Sequence, residues 1–250
     1  MAGRQRELLF MDTPSKFWSA FFGCNETSLW SRPCNVVQHS ESLATYDGIL
    51  GIFRGSAGTV SFPGECDAEL RMILPESDLS AVRFADAYQS SGLVVVGPAY
   101  LGYAHQIPNA SYAARLLTPD DRDAIFALRA NCTATEWEHG GSELGPTPMF
   151  GAFVEDELVA VAGYETWGEV LAHISVVVGP AHRSSGYGRS VVATCAAAAL
   201  DAGLLPQYRT LRSNEASIRI ADSLGFRAFA DTVAVRIPKS LTPLSGQSSR

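Results

Sequence analysis

A short loop with two glycines follows a run of valines in the second half of the chain. Residues 176–190 read VVVGPAHRSSGYGRS, and an alanine-rich segment comes next. The first turn of a helix carries unpaired N–H groups and a partial positive charge, and glycine lets an anion approach such groups closely. Arg183 and Arg189 add positive charge. The stretch predicts a phosphate-binding loop, although a structural turn would also explain two glycines.

The segments around this loop predict a mixed α/β domain. From Ala113 onward the order of elements is β-α-(α)-β-β-β-α-β-α-β, with a polar segment around Trp137 and His139 after the first helix. Thr118 and Pro119 are typical of a helix start. We predict strands at 113–117, 149–154, 158–164, 170–178, 207–212 and 226–237, and helices at 118–130, 187–202 and 215–224.

Residues 1–112 form a separate region whose fold the sequence leaves uncertain. The patterns predict a helix at 14–22, strands at 49–53, 59–62 and 93–96, and a helix at 77–88 with Ser77 as its N-cap. Residues 97–112 are expected to be a loop. We therefore divide the chain into 1–112, 113–238 and a polar tail at 239–250, and expect the first region to shape a substrate site.

The composition restricts the partners of this protein. The chain of 250 residues has 26 acidic and 19 basic residues, a formal charge of −7. This balance does not favour nucleic acid as a partner, because duplex binding needs a clustered basic surface. The apolar run at residues 8–11 is too short for a signal peptide or a membrane span. Five scattered cysteines without a C-x-x-C pair predict no metal site. We expect a cytoplasmic protein with no membrane partner.

The second region resembles the GNAT family of N-acetyltransferases. The family signature R/Q-x-x-G-x-G/A stands here as Arg183-Ser184-Ser185-Gly186-Tyr187-Gly188. The hydrophobic strand at 174–178 precedes it, and a helix led by Asn214 ends in Gly225-Phe226, as in the family. The resemblance covers roughly residues 113–237. It implies a mixed, mostly antiparallel sheet flanked by helices, with the N-terminal α/β region added, and an acetyl-CoA-dependent N-acetyltransferase.

The resemblance also implies which residues hold acetyl-CoA. The N–H groups of residues 184–188 would bind the pyrophosphate, and the backbone of Val176 and Val178 would pair with the pantetheine arm like another strand. Asn214 would contact the pantetheine or pyrophosphate. The implied set is Val176, Val177, Val178, Arg183, Ser184, Ser185, Gly186, Tyr187, Gly188, Arg189, Asn214 and Ser217.

The catalytic groups are less well defined by the sequence. A tyrosine that protonates the leaving thiolate stands seven residues after the asparagine in many family members, but that position is Ala221 here. Ser223, Tyr187 or solvent could replace it. The base has no fixed motif, and the candidates are His173 on the strand before the loop and Glu136 and Glu138 in the polar segment. His139, Glu165, Trp167 and His182 are further candidates for substrate contacts.

Two other functions stay open from the sequence. Loss of the tyrosine is compatible with a non-catalytic acyl-CoA sensor or scaffold. An amine on a protein is an alternative to the expected small-molecule amine. The sequence does not determine whether the protein forms a homodimer.

Overall fold

The computed structural model describes residues 12–64, 68–75, 79–141 and 144–238. Within these residues the chain divides into two compact units. The first unit comprises residues 12–101, 210–214 and 229–238. The second unit comprises Gly102–Arg209 and Glu215–Ala228. Most of the last strand, which falls within our predicted second region of 113–238, thus belongs to the first unit.

The first half of the chain contains three α-helices and four strands among the described residues. Its helices are α1 (Thr13–Phe22), α2 (Ala68–Met72) and α3 (Ala81–Ser90). Its strands are β1 (Asn35–Gln38), β2 (Gly48–Arg54), β3 (Ala57–Phe62) and β4 (Val94–Tyr103).

The second half contains four helices and six strands among the described residues. The helices are α4 (Arg122–Ala130), α5 (Ala134–Gly140), α6 (Tyr187–Asp201) and α7 (Glu215–Ser223). The strands are β5 (Arg115–Leu116), β6 (Met149–Val154), β7 (Glu157–Trp167), β8 (Leu171–Val178), β9 (Leu205–Leu211) and β10 (Arg227–Arg236).

The first unit is a sheet covered by helices. Its strand order is β1-β3-β2-β10-β4, with β1 and β3 parallel and β2 antiparallel to both β3 and β10. Its core joins side chains of the sheet, such as Ile49 and Val233, with Phe84 and Tyr88 of α3. Ser80 caps α3 by accepting a hydrogen bond from the Arg83 N–H at 3.3 Å.

The second unit carries the signature loop on a mostly antiparallel sheet. Its strand order is β9-β8-β7-β6-β5, and β8 and β9 are the parallel pair. On one face, Ile125, Leu128 and Trp137 from α4 and α5 pack with Val161 and Val177 of the sheet. On the other face, α6 packs against β6, β7 and β8. The small alanine side chains of α6 let it approach the sheet closely.

The structure confirms the predicted α/β class with a mostly antiparallel sheet and helices on it, and it corrects several elements. The predicted loop at 97–112 is wrong at its start, because β4 continues as a strand to Tyr103. The polar segment around Trp137 is the helix α5, which Thr133 begins as a capping box with Glu136. Ser77 lies outside the described residues, and the N-cap of α3 is Ser80. Within the described parts of the chain, each helix is too short or too polar to cross a bilayer.

Candidate active site

The signature loop has the backbone of an anion-binding turn. Ser184 has φ 62° and Gly186 has φ 90°, so two residues of the loop lie in the left-handed region. Gly186 is the N-cap of α6, and no side chain caps this helix. The first helical hydrogen bond runs from the Ser190 N–H to the Gly186 oxygen at 3.1 Å. The N–H groups of residues 187–189 precede that bond and are available to an anion.

Gly188 has a packing role in the loop. A Cβ atom at this position would lie 2.9 Å from Val178 Cγ2 and 3.2 Å from Ile220 Cδ1. Glycine therefore lets the first turn of α6 lie close to both β8 and α7. The second glycine of the signature brings the N-terminus of α6 to the end of β8.

Both arginines of the loop already have protein partners. Arg183 donates from Nη2 to Glu136 Oε1 at 2.7 Å and from Nε to the Val178 oxygen at 3.3 Å. Arg189 donates from Nη1 to Ser111 Oγ at 3.1 Å and to the Asn109 oxygen at 3.4 Å. They supply positive charge beside the loop, but binding a phosphate directly would require them to exchange these partners.

Tyr187 packs beside the loop instead of projecting alone into solvent. Its ring lies 4.7 Å from the ring of Tyr112, centroid to centroid. Tyr112 also lies next to Gly186, where an added Cβ would be 3.2 Å from Tyr112 Cε2. The Tyr112 N–H donates to Ser190 Oγ at 3.1 Å. Sequence reasoning missed Tyr112, because it lies about 75 residues before the loop in a segment without a regular pattern.

Alternate residues of β8 direct their backbone groups to opposite neighbours. The Gly179 N–H donates to the Val159 oxygen at 2.8 Å, so odd-numbered residues of this segment face β7. The Leu205 N–H donates to the Val170 oxygen at 2.9 Å, so even-numbered residues face β9. Val176 and Val178 therefore point their N–H groups away from β7.

The edge of β8 that faces β9 becomes unpaired halfway along the strand. The two strands pair from Leu171 with Leu205 to Ile174 with Tyr208, whereas β8 continues to Val178. Within the described residues, the N–H of Val176 has no ladder partner. A ligand with carbonyl groups can pair there as an extra strand does. Val177 differs from its two neighbours, because its backbone faces β7 and its side chain lies in the core, so it is not placed to contact a cofactor.

The end of α5 lies against the same part of β8. A Cβ atom at Gly140 would be 2.4 Å from the Val176 oxygen and 3.1 Å from Val177 Cγ2. Only glycine fits this approach without a backbone shift. The α5 helix thereby borders the unpaired edge of β8.

The two residues implied around α7 lie in different compact units. Asn214 belongs to the first unit, where its N–H donates to the Leu211 oxygen at 2.9 Å. Ser217 belongs to the second unit, and its Oγ lies 2.8 Å from the hydroxyl of Tyr208. Burial raises the pKa of Tyr208 to about 12. Ala221, at the expected place of the tyrosine, is 0% exposed.

Glu136 is held as a carboxylate by its neighbours. Its Oε2 accepts hydrogen bonds from the Thr133 N–H and hydroxyl, both at 2.9 Å, and its Oε1 accepts from Arg183. These bonds, those from Thr133 foremost, lower the pKa of Glu136. Glu136 thus has a capping and positioning geometry, and a base role would require a carboxylate with a free oxygen.

Glu138 lies at the rim of an open groove between α4 and α5. The groove is lined by Phe126, Arg129, Ala130, Cys132, Thr133, Ala134, Trp137, Glu138 and Gly141. Phe126 of α4 is 57% exposed here. The groove and Glu138 lie among helices, whereas His173 lies on the sheet.

His173 belongs to a hydrogen-bonded chain that runs into the core. Its Nδ1 lies 2.9 Å from Nε2 of Gln207, the residue paired with it on β9. Gln207 is 0% exposed, and its Oε1 accepts from the hydroxyl of Tyr103 at 2.6 Å. Trp167 stacks on the imidazole at 4.3 Å between ring centroids. Burial, and secondarily the charge of Arg209, lowers the pKa of His173 to about 3.

The lowered pKa predicts a pH-dependent stability. The ordinary pKa of this imidazole is 6.5, so between pH 6.5 and about 3 the unfolded chain binds one more proton than the folded chain. The contribution to the free energy of unfolding is complete above pH 6.5 and should fall by about 2 kcal/mol on acidification to about pH 5. Urea unfolding of the wild type and His173→Gln near pH 7.5 and pH 5 measures the difference. Equal losses in both proteins would contradict it.

One stretch of the chain matches a known protein family. Residues 114–226 match the model described as the Acetyltransferase (GNAT) family. No curated protein matches the sequence. An acetyltransferase from the GNAT family of Colwellia psychrerythraea is similar over 92% of this chain and 96% of its own, with 11% identity and a TM-score of 0.51. This likeness concerns the fold alone.

Two further structures are similar over shorter stretches. A protein of Novosphingobium aromaticivorans assigned to the GNAT family has 24% identity and a TM-score of 0.45, over 58% of this chain and 66% of its own. A GCN5-related N-acetyltransferase-like protein of Streptococcus suis has 14% identity and a TM-score of 0.48, over 76% and 83% of the two chains. The chain thus spans about two thirds of the length of the Novosphingobium protein.

Proposed function

We propose, from the match of residues 114–226 to the GNAT acetyltransferase family model, that the protein is an N-acetyltransferase that uses acetyl-CoA and acetylates a primary amine of a small molecule. Acyl transfer in general rests on the family match. The donor, the acceptor and the residues that act on them are the proposal.

The observation that carries the proposal is the unpaired edge of β8 beside an uncapped helix N-terminus. The N–H of Val176 lacks a strand partner among the described residues, and the N–H groups of residues 187–189 precede the first helical bond. A molecule with an amide-containing arm and a pyrophosphate has groups for both sites. Acetyl-CoA contains both groups, and Val176 and the loop lie on one continuous segment of the chain.

The chemistry requires few groups from the protein. The neutral amine attacks the thioester carbon, the C–N bond forms, and the C–S bond breaks. The amine gives up a proton, and the leaving thiolate takes one from a donor or from water. The Val176 N–H supports the reaction by donating a hydrogen bond to an oxygen of the bound acetyl-pantetheine arm, which we call the acyl arm. In place of the missing tyrosine, water or a hydroxyl such as that of Ser223 can donate this proton.

The acceptor face is the side of the sheet that carries α4 and α5. His173 and Ser175 are on this face with Val177, because side chains alternate along β8. Glu165 on β7 pairs with His173 on β8 and is exposed. The net charge of −7 favours an amine-bearing acceptor. We propose a cytoplasmic location and no nucleic-acid or membrane partner on the same sequence grounds.

A thiol-release assay tests the proposed function. Purified full-length protein is incubated with acetyl-CoA and a panel of primary amines, and free CoA is measured with a thiol reagent. We expect turnover with at least one class of small amine and a matching N-acetyl product by mass spectrometry. Transfer confined to protein amines would instead support the alternative of a protein N-acetyltransferase.

A non-catalytic acyl-CoA sensor is the second candidate, and the buried Ala221 favours it. Because this position is 0% exposed, no side-chain acid occupies it. A sensor binds acetyl-CoA in calorimetry but releases no CoA with any amine. The same two measurements therefore separate a sensor from an enzyme.

A further inference from the structure

We propose that His173 is a neutral hydrogen-bond donor to a carboxylate on the acceptor, and that the acceptor is an amine whose carboxylate is several bonds away. This inference rests on the proposed acyl transfer for its substrate class. The role of the imidazole rests on the hydrogen-bonded chain of Tyr103, Gln207 and His173.

The chain of hydrogen bonds determines which imidazole nitrogen carries the proton. The Tyr103 hydroxyl donates to Gln207 Oε1 at 2.6 Å, so the other end of the amide is its NH₂ group. That NH₂ group can only donate, and it lies 2.9 Å from His173 Nδ1. Nδ1 therefore accepts, and the proton of the neutral ring is on Nε2. A ring with its proton on Nε2 can donate from this atom and cannot remove a proton with it.

The burial of this chain of hydrogen bonds keeps the orientation of the Gln207 amide fixed. Gln207 and Tyr103 are both buried, so reorienting the amide would leave polar groups unpaired in the core. Trp167 covers one face of the imidazole. In the part of the chain that the structure describes, His173 Nε2 makes no hydrogen bond, and the residue as a whole is partly exposed. The donor is thus fixed in direction and offered to a ligand.

The neighbours of His173 indicate what the donor binds. The charge of Arg209 is close enough to lower the pKa of His173, and its guanidinium lies 6.0 Å from the Trp167 ring centre. Glu165, which pairs with His173 from β7, accepts a hydrogen bond from Trp167 Nε1 at 3.5 Å. A neutral N–H beside the Arg209 cation favours a ligand group that accepts hydrogen bonds and carries negative charge. A carboxylate meets both conditions.

The distance along β8 indicates the length of the acceptor. Val176 is three residues beyond His173, which corresponds to roughly 10 Å of strand. An acceptor bound by its carboxylate at His173 must extend its amine toward the acyl group near Val176. An ω-amino acid can do so more readily than an α-amino acid.

The first experiment reads the tautomer without any substrate. Nitrogen-15 NMR of histidine-labelled full-length protein at pH 7 should show a neutral His173 with its proton on Nε2. Gln207→Leu should keep the fold but yield a mixture of the two tautomers. A proton on Nδ1, or a charged ring, in the wild-type protein would overturn the proposal.

The second experiment compares two substitutions with opposite chemistry. His173→Gln keeps an N–H donor near Nε2 but has no base, whereas His173→Glu supplies a base but no donor. We expect His173→Gln to stay within about tenfold of the wild-type kcat/KM and His173→Glu to lose at least 100-fold, mainly through KM. The reverse order would identify a base.

The probes are ω-amino acids from glycine to 6-aminohexanoate, each paired with the alkylamine of the same length, with acetyl-CoA as the donor. The wild type should prefer the longer amino acids over their alkylamines by at least tenfold, and His173→Ala should lose this preference. Equal rates with and without the carboxylate, or turnover of neither series, would reject the substrate class. A loss of kcat for both series in His173→Ala would indicate that the donor serves the thioester oxygen instead. Calorimetry with acetyl-CoA monitors donor binding separately, so failure here is distinguishable from failure of the proposed function.

Discussion

Replacing Gly186 by glutamate should reduce acetyl-CoA affinity by at least 100-fold, which corresponds to about 2.7 kcal/mol of binding free energy. Gly186 has φ 90° and begins α6, so any side chain is strained there. A Cβ atom would also lie 3.2 Å from the ring of Tyr112. The added carboxylate would compete with a phosphate for the N–H groups of residues 187–189. Isothermal titration calorimetry with acetyl-CoA measures the loss.

Gly203 provides a matched control for this prediction. It has φ 79°, follows the other end of the same helix, and has open space around its Cβ position. Gly203→Glu therefore introduces the same side chain with a similar backbone penalty of about 1–2 kcal/mol. Its thermal stability should fall as in Gly186→Glu, but its affinity for acetyl-CoA should match the wild type. Equal affinities in the two variants would remove the loop from the donor site.

The geometry of the signature loop was predictable because its sequence pattern is local. The turn into α6 needs a residue with positive φ at Gly186 and a small residue at Gly188, where Val178 and Ile220 leave no room for a Cβ. Both requirements select glycine, and both act within a few residues of the helix start. The boundaries of α6 were predicted to within one residue for the same reason.

The hydrogen-bond partners of the candidate bases were not predictable because these contacts are long-range. Tyr103 and Gln207 are 104 residues apart in sequence. Tyr103 lies in a stretch that we predicted to be a loop, and Gln207 lies at the start of a predicted strand. Their meeting depends on strand pairing over this distance, and the contact of Gln207 with His173 depends on the register of β8 with β9. A single sequence specifies neither. The same applies to Glu136, whose partner Arg183 is 47 residues away. A base could be proposed from residue type, whereas hydrogen-bond partners decide whether it can accept a proton.

The misassigned segments also have physical causes. Residues 97–103 contain Gly97 and Pro98, which predict a turn, yet Tyr100 and Leu101 are buried in a strand. Tertiary packing outweighs the local preference there. The polar composition of α5 gave no apolar pattern from which to predict a helix, since Trp137 is its one buried residue.

Replacing Val176 by proline should reduce acetyl-CoA turnover by at least 100-fold while the fold is retained. Proline removes the backbone N–H, and at position 176 this group has no ladder partner among the described residues. The sheet therefore loses no strand-to-strand hydrogen bond. The φ of an extended strand is more negative than the φ that proline prefers, but a strand can accommodate the difference. The acyl arm loses the donor that pairs with it. Single-turnover thiol release and calorimetry together measure the effect.

Val177→Pro is the control that separates binding from folding. The Val177 N–H faces β7, in register with Val161, so proline there breaks the ladder in the middle of the sheet. Its side chain also lies in the core with Trp137. We expect Val177→Pro to lose at least 3 kcal/mol of unfolding free energy and Val176→Pro clearly less. If both variants unfold alike, or if Val176→Pro keeps full activity, the unpaired edge of β8 does not hold the acyl donor. A folded Val176→Pro protein without turnover would identify the unpaired Val176 N–H as the backbone group that binds the acyl donor.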